Sequence, residues 1–276
     1  MCRSQEEQMI YDISKIVGDS GEVQNYFVTD KDGFKISLTF AIPYKPTDKV
    51  VIVMPGTGAN KEDSSKNLMA LGFIKNKIAV LVFDAYGHGQ SEGKLSDLTT
   101  TKIVSGLEAV LEHLKSKGFK KIGLCASSWP ALGAAIVAGK NPGIINLLVL
   151  QTMIFDNKDY AIMTHGENGL SLWKSQGYLF FDSTSYGKTK MGYGLYADSL
   201  QYNNRKYFER IRSKTLAIVT GKDQYLYPAK LREVYHLIPE CEIAEFPEKD
   251  HLFHLKPESK PKLFEMISRF IISNLK

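Results

Sequence analysis

The stretch Ile122-Gly123-Leu124-Cys125-Ala126-Ser127-Ser128-Trp129-Pro130-Ala131-Leu132-Gly133-Ala134-Ala135 decides how the rest of the chain is read. A short apolar run ending at Cys125 predicts a buried strand, and the alanine-rich run from Pro130 predicts a helix. Between them lies a sharp turn centred on Ser128. A strand, a tight turn carrying a serine, and a helix form the setting of a nucleophile elbow. There the serine backbone is strained and the strand and helix approach closely, so small residues are wanted two positions before and two after the serine. Those positions hold Ala126 and Pro130 instead of glycines. Proline in a first helical turn gives up an N–H that would have no partner within the helix, but it biases Trp129 away from helical angles. Centring the motif on Ser127 would put Cys125 and Trp129 at the two small positions, so the register favours Ser128 as the nucleophile.

Outward from this unit, short apolar runs alternate with segments of helical period. Strands are predicted over 22–29, 34–42, 50–54, 78–83, 121–125, 146–151, 215–220 and 242–246, and helices over 62–75, 99–117, 130–138, 203–210, 229–238 and 258–275. Several of the strands are apolar almost throughout, as strands covered on both faces are. Asp30-Lys31-Asp32-Gly33 is a turn signal that makes the first two strands an antiparallel hairpin. The fold class is therefore α/β: an eight-stranded, mostly parallel sheet with helices on both faces. Residues 153–200 interrupt the rhythm, with no clear strand and many aromatics, among them Trp173, Tyr178, Phe180, Phe181, Tyr186, Tyr193 and Tyr196. They are expected to form a cap or lid inserted into a core made of residues 1–152 and 201–276.

Composition narrows the class of protein. A chain of 276 residues with 43% hydrophobic and 24% charged residues can bury a full core in one sizeable domain. The net charge of +5 comes from 35 basic and 30 acidic residues scattered along the chain, a pattern that points away from a nucleic acid partner. Cys2, Cys125 and Cys241 have neither metal-ligand spacing nor the even count of a disulfide framework, which suits a reducing, cytoplasmic location. Residues 1–13 contain no signal-peptide core, and no run reaches the roughly 18 to 20 apolar residues of a membrane helix, so stable membrane insertion is not expected.

The loops after the strands carry the chemistry. The strand over 50–54 runs into Pro55-Gly56-Thr57-Gly58-Ala59-Asn60, where the glycines let backbone N–H groups face a pocket. Thr57 N–H is placed there to donate one oxyanion hydrogen bond, and Trp129 N–H, directly after the serine, to donate the other. After the next strand comes Asp84-Ala85-Tyr86-Gly87-His88-Gly89-Gln90-Ser91-Glu92-Gly93. This segment resembles the Asp-x-x-Gly-His-Gly-x-Ser segment of the α/β-hydrolase superfamily, in which the counterparts of His88 and Ser91 are structural.

The resemblance extends from about residue 22 to residue 275 and looks closest to the serine-aminopeptidase-like and monoacylglycerol-lipase-like hydrolases. The elbow is similar to that of the bioluminescence acyl-carrier-protein thioesterases, which also lack the first glycine. The resemblance implies cleavage of a fatty-acyl ester or thioester, without cofactor or metal, and a small-molecule acyl substrate.

It also implies where the base and the acid lie. In Pro247-Glu248-Lys249-Asp250-His251-Leu252-Phe253-His254, His251 stands at the superfamily's histidine position, with His254 as the alternative base. His113, His165 and His236 read as packing or solvated histidines. After the strand over 215–220, Gly221-Lys222-Asp223-Gln224-Tyr225-Leu226-Tyr227-Pro228 replaces the usual Gly-x-x-Asp-x-x-Val-Pro. Gln224 occupies the acid column and Asp223 lies one residue early. Asp223 is the favoured acid because it is the turn's carboxylate, and Asp156, after the preceding strand, is the alternative. The order Ser128, Asp223, His251 is the one the fold imposes. The expected activity is that of a serine hydrolase acting on a carboxylic ester or thioester. A non-catalytic binding protein, or an acyltransferase using the same triad, are the alternatives.

Overall fold

The computed structural model describes residues 12–62 and 64–276. Most of the residues 1–13 read above for a signal-peptide core, Cys2 included, lie outside the described residues.

The main sheet contains β1 (Gly21–Thr29), β2 (Lys35–Pro43), β3 (Lys49–Met54), β4 (Ala79–Phe83), β5 (Lys121–Ser127), β6 (Leu147–Gln151), β9 (Lys214–Thr220) and β10 (Cys241–Phe246). Their order across the sheet is β1-β2-β4-β3-β5-β6-β9-β10. Only β2 departs from the common direction among the inner strands: it runs antiparallel to β1 and to β4, and every pair from β4 to β10 is parallel. The β1–β2 turn is held by Asp30, whose Oδ1 accepts from Asp32 N at 3.0 Å and Phe34 N at 2.9 Å, and by Gly33 at a φ of 88°. This is the local side-chain bonding that makes aspartate and glycine turn residues.

The period of two in each strand sends alternate side chains to two separate cores. Along β3, Val50, Ile52 and Met54 enter one core with Leu107, Ala131 and Leu231 from the helices Thr100–Ser116, Ser128–Lys140 and Pro228–Tyr235. Val51 and Val53 enter the other with Ile13, Phe73 and Ile267 from Ile13–Val17, Ala70–Lys75 and Lys260–Asn274. The sheet is thus covered on both faces, as its apolar strands require.

Two expectations are corrected. The helix over 62–75 is instead a 3-10 turn, Ser65–Met69, followed by a short α-helix, Ala70–Lys75. Its first half is polar, and Asn67 Nδ2 donates to Lys61 O at 2.8 Å, the kind of local side-chain bond that competes with the helical ladder. Residues 153–200 do contain strands: β7 (Tyr178–Ser183) and β8 (Gly187–Gly192) form an antiparallel hairpin between the helices Asn157–His165, Gly169–Gln176 and Gly194–Ser199. The hairpin is stabilised by cation–aromatic pairs instead of a continuous apolar face: Lys190 Nζ lies 4.0 Å from the Tyr178 ring centroid, and Lys188 Nζ lies 5.0 Å from that of Phe180. Leu179 and Met191 pair across the hairpin and are buried, while β8 as a whole is too polar for an apolar run to mark it as a strand. Among the described residues no helix is long and apolar enough to cross a membrane.

Candidate active site

β5 ends at Ser127 and the next helix begins at Ser128, so the chain reverses within one residue. That reversal puts Ser128 at a φ of 58°, a left-handed conformation that costs a non-glycine residue about 1–2 kcal/mol. The helix starts two residues earlier than its composition suggests, with Trp129 and Pro130 in its first turn, where proline loses no helical hydrogen bond. Its close approach to the helix Thr100–Ser116 depends on Gly133, where a Cβ would stand 2.3 Å from Ile103 Cγ2. The Trp129 indole is held by Asn157 Oδ1, which it reaches as a donor.

His251, in the loop after β10, brings the other two expected groups together. Its Nε2 is 3.2 Å from Ser128 Oγ and its Nδ1 is 2.8 Å from Asp223 Oδ2. The carboxylate can only accept, so Nδ1 carries the proton and Nε2 is free to accept from the serine hydroxyl. Asp223 is itself fixed, with Thr220 Oγ1 donating to its Oδ2 at 2.7 Å and Tyr225 N to its Oδ1 at 2.9 Å. Gln224, the residue in the expected acid column, accepts from His251 N at 3.3 Å. Tyr225 stands edge-on to the imidazole, with centroids 5.0 Å apart.

Asp156 is engaged elsewhere. It caps the helix Asn157–His165, accepting from Lys158 N at 2.8 Å and Asp159 N at 3.2 Å. His254 lines the same pocket as Ser128, but its affinity for a proton is held far below the ordinary histidine value by burial and by the nearby Lys66 and His251. His113 bonds Tyr26 at 2.8 Å and His165 bonds Thr164 at 2.8 Å, and neither these nor His236 lines the pocket.

The loop after β3 lies against the elbow: a Cβ on Gly56 would be 3.8 Å from Ser128 Cβ. The backbone N–H groups of Thr57 and Trp129 have no acceptor among the described residues. His88 and Ser91 hold the surrounding loops. His88 Nδ1 donates to Tyr86 O at 2.9 Å while Nε2 accepts from Gly58 N at 3.0 Å, a pairing that requires the neutral ring which its burial favours. Ser91 Oγ donates to Asp84 O at 2.7 Å and accepts from Ser37 N at 2.8 Å.

These loops enclose a pocket of ≈ 780 Å³, open mouth included, that contains Ser128 and His251. Ile154, Tyr160, Phe181 and Asp182, all from residues 153–200, contribute to its lining. One lining residue, Lys66, had no signal in the sequence, where it reads as an exposed position of a polar helix; it is buried and donates to Ser127 Oγ. Among the described residues no group of three or more His, Cys, Asp or Glu is disposed to hold a metal ion.

No protein-family model and no curated protein matches the sequence. Solved structures do match. Est1E from Butyrivibrio proteoclasticus, a structure with bound ferulic acid, is 17% identical with a TM-score of 0.71 over 90% of this chain and 99% of that one. An esterase of Pyrococcus furiosus is 19% identical with a TM-score of 0.68 over 95% of this chain and 94% of its own. A hypothetical protein of Pseudomonas aeruginosa, 15% identical, has a TM-score of 0.71 over 99% of this chain and 98% of its own. The sheet order, the helices on both faces and these likenesses together establish that this chain has the α/β-hydrolase fold.

Proposed function

We propose that the chain is a serine hydrolase that cleaves a carboxylic ester or thioester of an acyl chain through an acyl-enzyme on Ser128. The observation that carries this reading is the hydrogen-bonded series Ser128 Oγ, His251, Asp223, with the serine in a strained turn at a pocket wall. Ser128 Oγ attacks the acyl carbonyl as His251 Nε2 takes its proton, and Asp223 stabilises the imidazolium so formed. The Thr57 and Trp129 N–H groups receive the charge that develops on the carbonyl oxygen. His251 then returns the proton to the leaving alcohol or thiol. In the second half, water attacks the acyl-enzyme with His251 again as base, and Ser128 regains its proton.

Residues 153–200 act as a cap in this reading, since Tyr160 and Phe181 supply apolar wall to a pocket that would otherwise be open on that side. A reducing, cytoplasmic setting suits Cys125 and Cys241, both free thiols. The test is labelling with a fluorophosphonate probe together with turnover of short p-nitrophenyl esters. Wild type is expected to label and turn over, and Ser128→Ala to do neither. A wild-type protein that refuses the probe would make the chain a binding scaffold, and undiminished turnover by Ser128→Ala would move the nucleophile elsewhere.

A further inference from the structure

Two lysines are buried to 3% exposure, and their surroundings differ. Lys61 Nζ lies 3.7 Å from Asp84 Oδ2 and donates to Gln90 Oε1 at 3.1 Å, so its charge is compensated. Lys66 has no carboxylate at ion-pair distance among the described residues, and its ammonium donates to Ser127 Oγ alone. The ionisable groups nearest to it are the Cys125 thiol, which burial pushes up to about 12, and His254, which is held neutral. Neither supplies negative charge. An ammonium has three donors, of which one is matched among the described residues, and a buried charge without a counter-charge is strongly disfavoured. Burial lowers the Lys66 pKa to about 8, which still leaves the ammonium as the main form near neutral pH.

Lys66 lines the pocket that contains Ser128. Two other buried polar atoms on residues of the same lining, Thr57 Oγ1 and Thr152 Oγ1, have no hydrogen-bond partner among the described residues. The acid of the lining, Asp182, sits on β7 and forms no ion pair with Lys66.

We propose that Lys66 forms an anion subsite of the acyl pocket and receives a carboxylate carried by the substrate's acyl group, so that half-esters or half-thioesters of dicarboxylic acids are preferred over uncharged acyl chains. The inference rests on the serine-hydrolase reading for the placement of the acyl group. The partner of Lys66 is the residue next to the nucleophile, and adjacent Cα atoms are about 3.8 Å apart. Lys66, Ser127 and Ser128 line one pocket, so a carboxylate on Lys66 and a carbonyl on Ser128 share one enclosure, and the diacid length that spans them is what a chain-length series reads.

The test compares kcat/KM of wild type and Lys66→Met on mono-p-nitrophenyl esters of the diacids from succinic to suberic. Each is set against the p-nitrophenyl ester of the monocarboxylic acid of equal length, after subtraction of spontaneous hydrolysis. Wild type should prefer the hemi-ester by about tenfold or more at one chain length, as a buried charge-assisted contact would give, and the ratio should fall to about one in Lys66→Met. A wild type that favours the uncharged ester at every length, or a hemi-ester preference that survives Lys66→Met, overturns the subsite. Calorimetric titration of glutarate and adipate into Ser128→Ala, with and without Lys66→Met, reads the subsite without turnover. Diacids that bind through Lys66 while no ester is cleaved would sink the hydrolase reading and keep the subsite. Cleavage of uncharged esters with no diacid binding would do the reverse.

Discussion

Asp223 and Asp156 follow neighbouring strands, β9 and β6, yet their carboxylates meet different partners. Asp223 faces His251 and is held from behind by Thr220 and Tyr225, whereas Asp156 spends both its acceptor bonds on a helix N-terminus. Asp223→Asn should therefore cut kcat by orders of magnitude, about 10⁴ in the best-studied triad, because an amide favours the wrong imidazole tautomer. Asp156→Asn should leave turnover and stability nearly unchanged, since asparagine caps a helix as well as aspartate does. Steady-state kinetics of the two variants on one p-nitrophenyl ester decides the matter. Lys66 makes a second prediction at this scale, in stability. Its pKa falls from 10.5 in the unfolded chain to about 8 in the fold, so between those values the unfolded state binds more protons and stability rises with pH. Below about 8 both states are protonated and the fold bears a penalty of about 3 kcal/mol. Lys66→Met, apolar and of similar length, should be more stable than wild type near neutral pH in urea unfolding. It should also lack the wild-type gain between pH 8 and 10.5.

At the scale of elements, the hairpin β7–β8 and the loop after β3 are interlocked. Ser185 N donates to Gly58 O at 2.9 Å, Asn60 N donates to Ser185 Oγ at 3.2 Å, and a Cβ on Gly58 would stand 2.7 Å from Ser183 Cβ and 2.8 Å from Phe181 Cε2. Gly58 also sits at a φ of 84°, which disfavours any side chain. The hairpin thus helps set the position of the Thr57 N–H. Gly58→Ala should displace that donor and lower kcat/KM by about 10², the usual effect of losing one oxyanion contact. Gly118→Ala is the control: its φ of 86° imposes similar backbone strain, but the space around it is open and remote from the pocket. It should lower the melting temperature without the kinetic loss. Equal kinetic effects from both variants would mean that the loop's position is indifferent to the hairpin.

Across the whole molecule, residues 153–200 share the core of the sheet. Trp173, Leu179, Met191 and Leu195 are fully or almost fully buried in the same cluster as β3, β4 and β5, and the Trp173 indole donates to Met191 O at 2.9 Å. A segment so joined unfolds with the rest, so wild type should melt in one transition under calorimetry. Trp173→Ala should shift that single transition by about 3–5 kcal/mol, the cost of deleting a large buried aromatic. A separate low-temperature transition, moved alone by Trp173→Ala, would show that residues 153–200 fold as an independent lid.

What the sequence by itself determined was local: the order of eight strands and their covering helices, the tight turn at Ser128, the glycine loop at Thr57 and the loop that carries His251. These are written in periodicity and turn chemistry, which act over a few residues and need no knowledge of distant partners. Tertiary structure alone decided what depends on residues far apart in the chain. It brought Asp223 to His251 across 28 residues, and left Asp156 at a helix cap, because the acid's reach depends on how two loops pack and not on its column in a motif. It paired the lysines of β8 with the aromatics of β7, making a strand of Gly187–Gly192, a segment with no apolar run of its own. It also buried Lys66 beside Ser127, although a lysine's charge predicts exposure, because the side chain's surroundings are set by a residue 61 positions away in the chain.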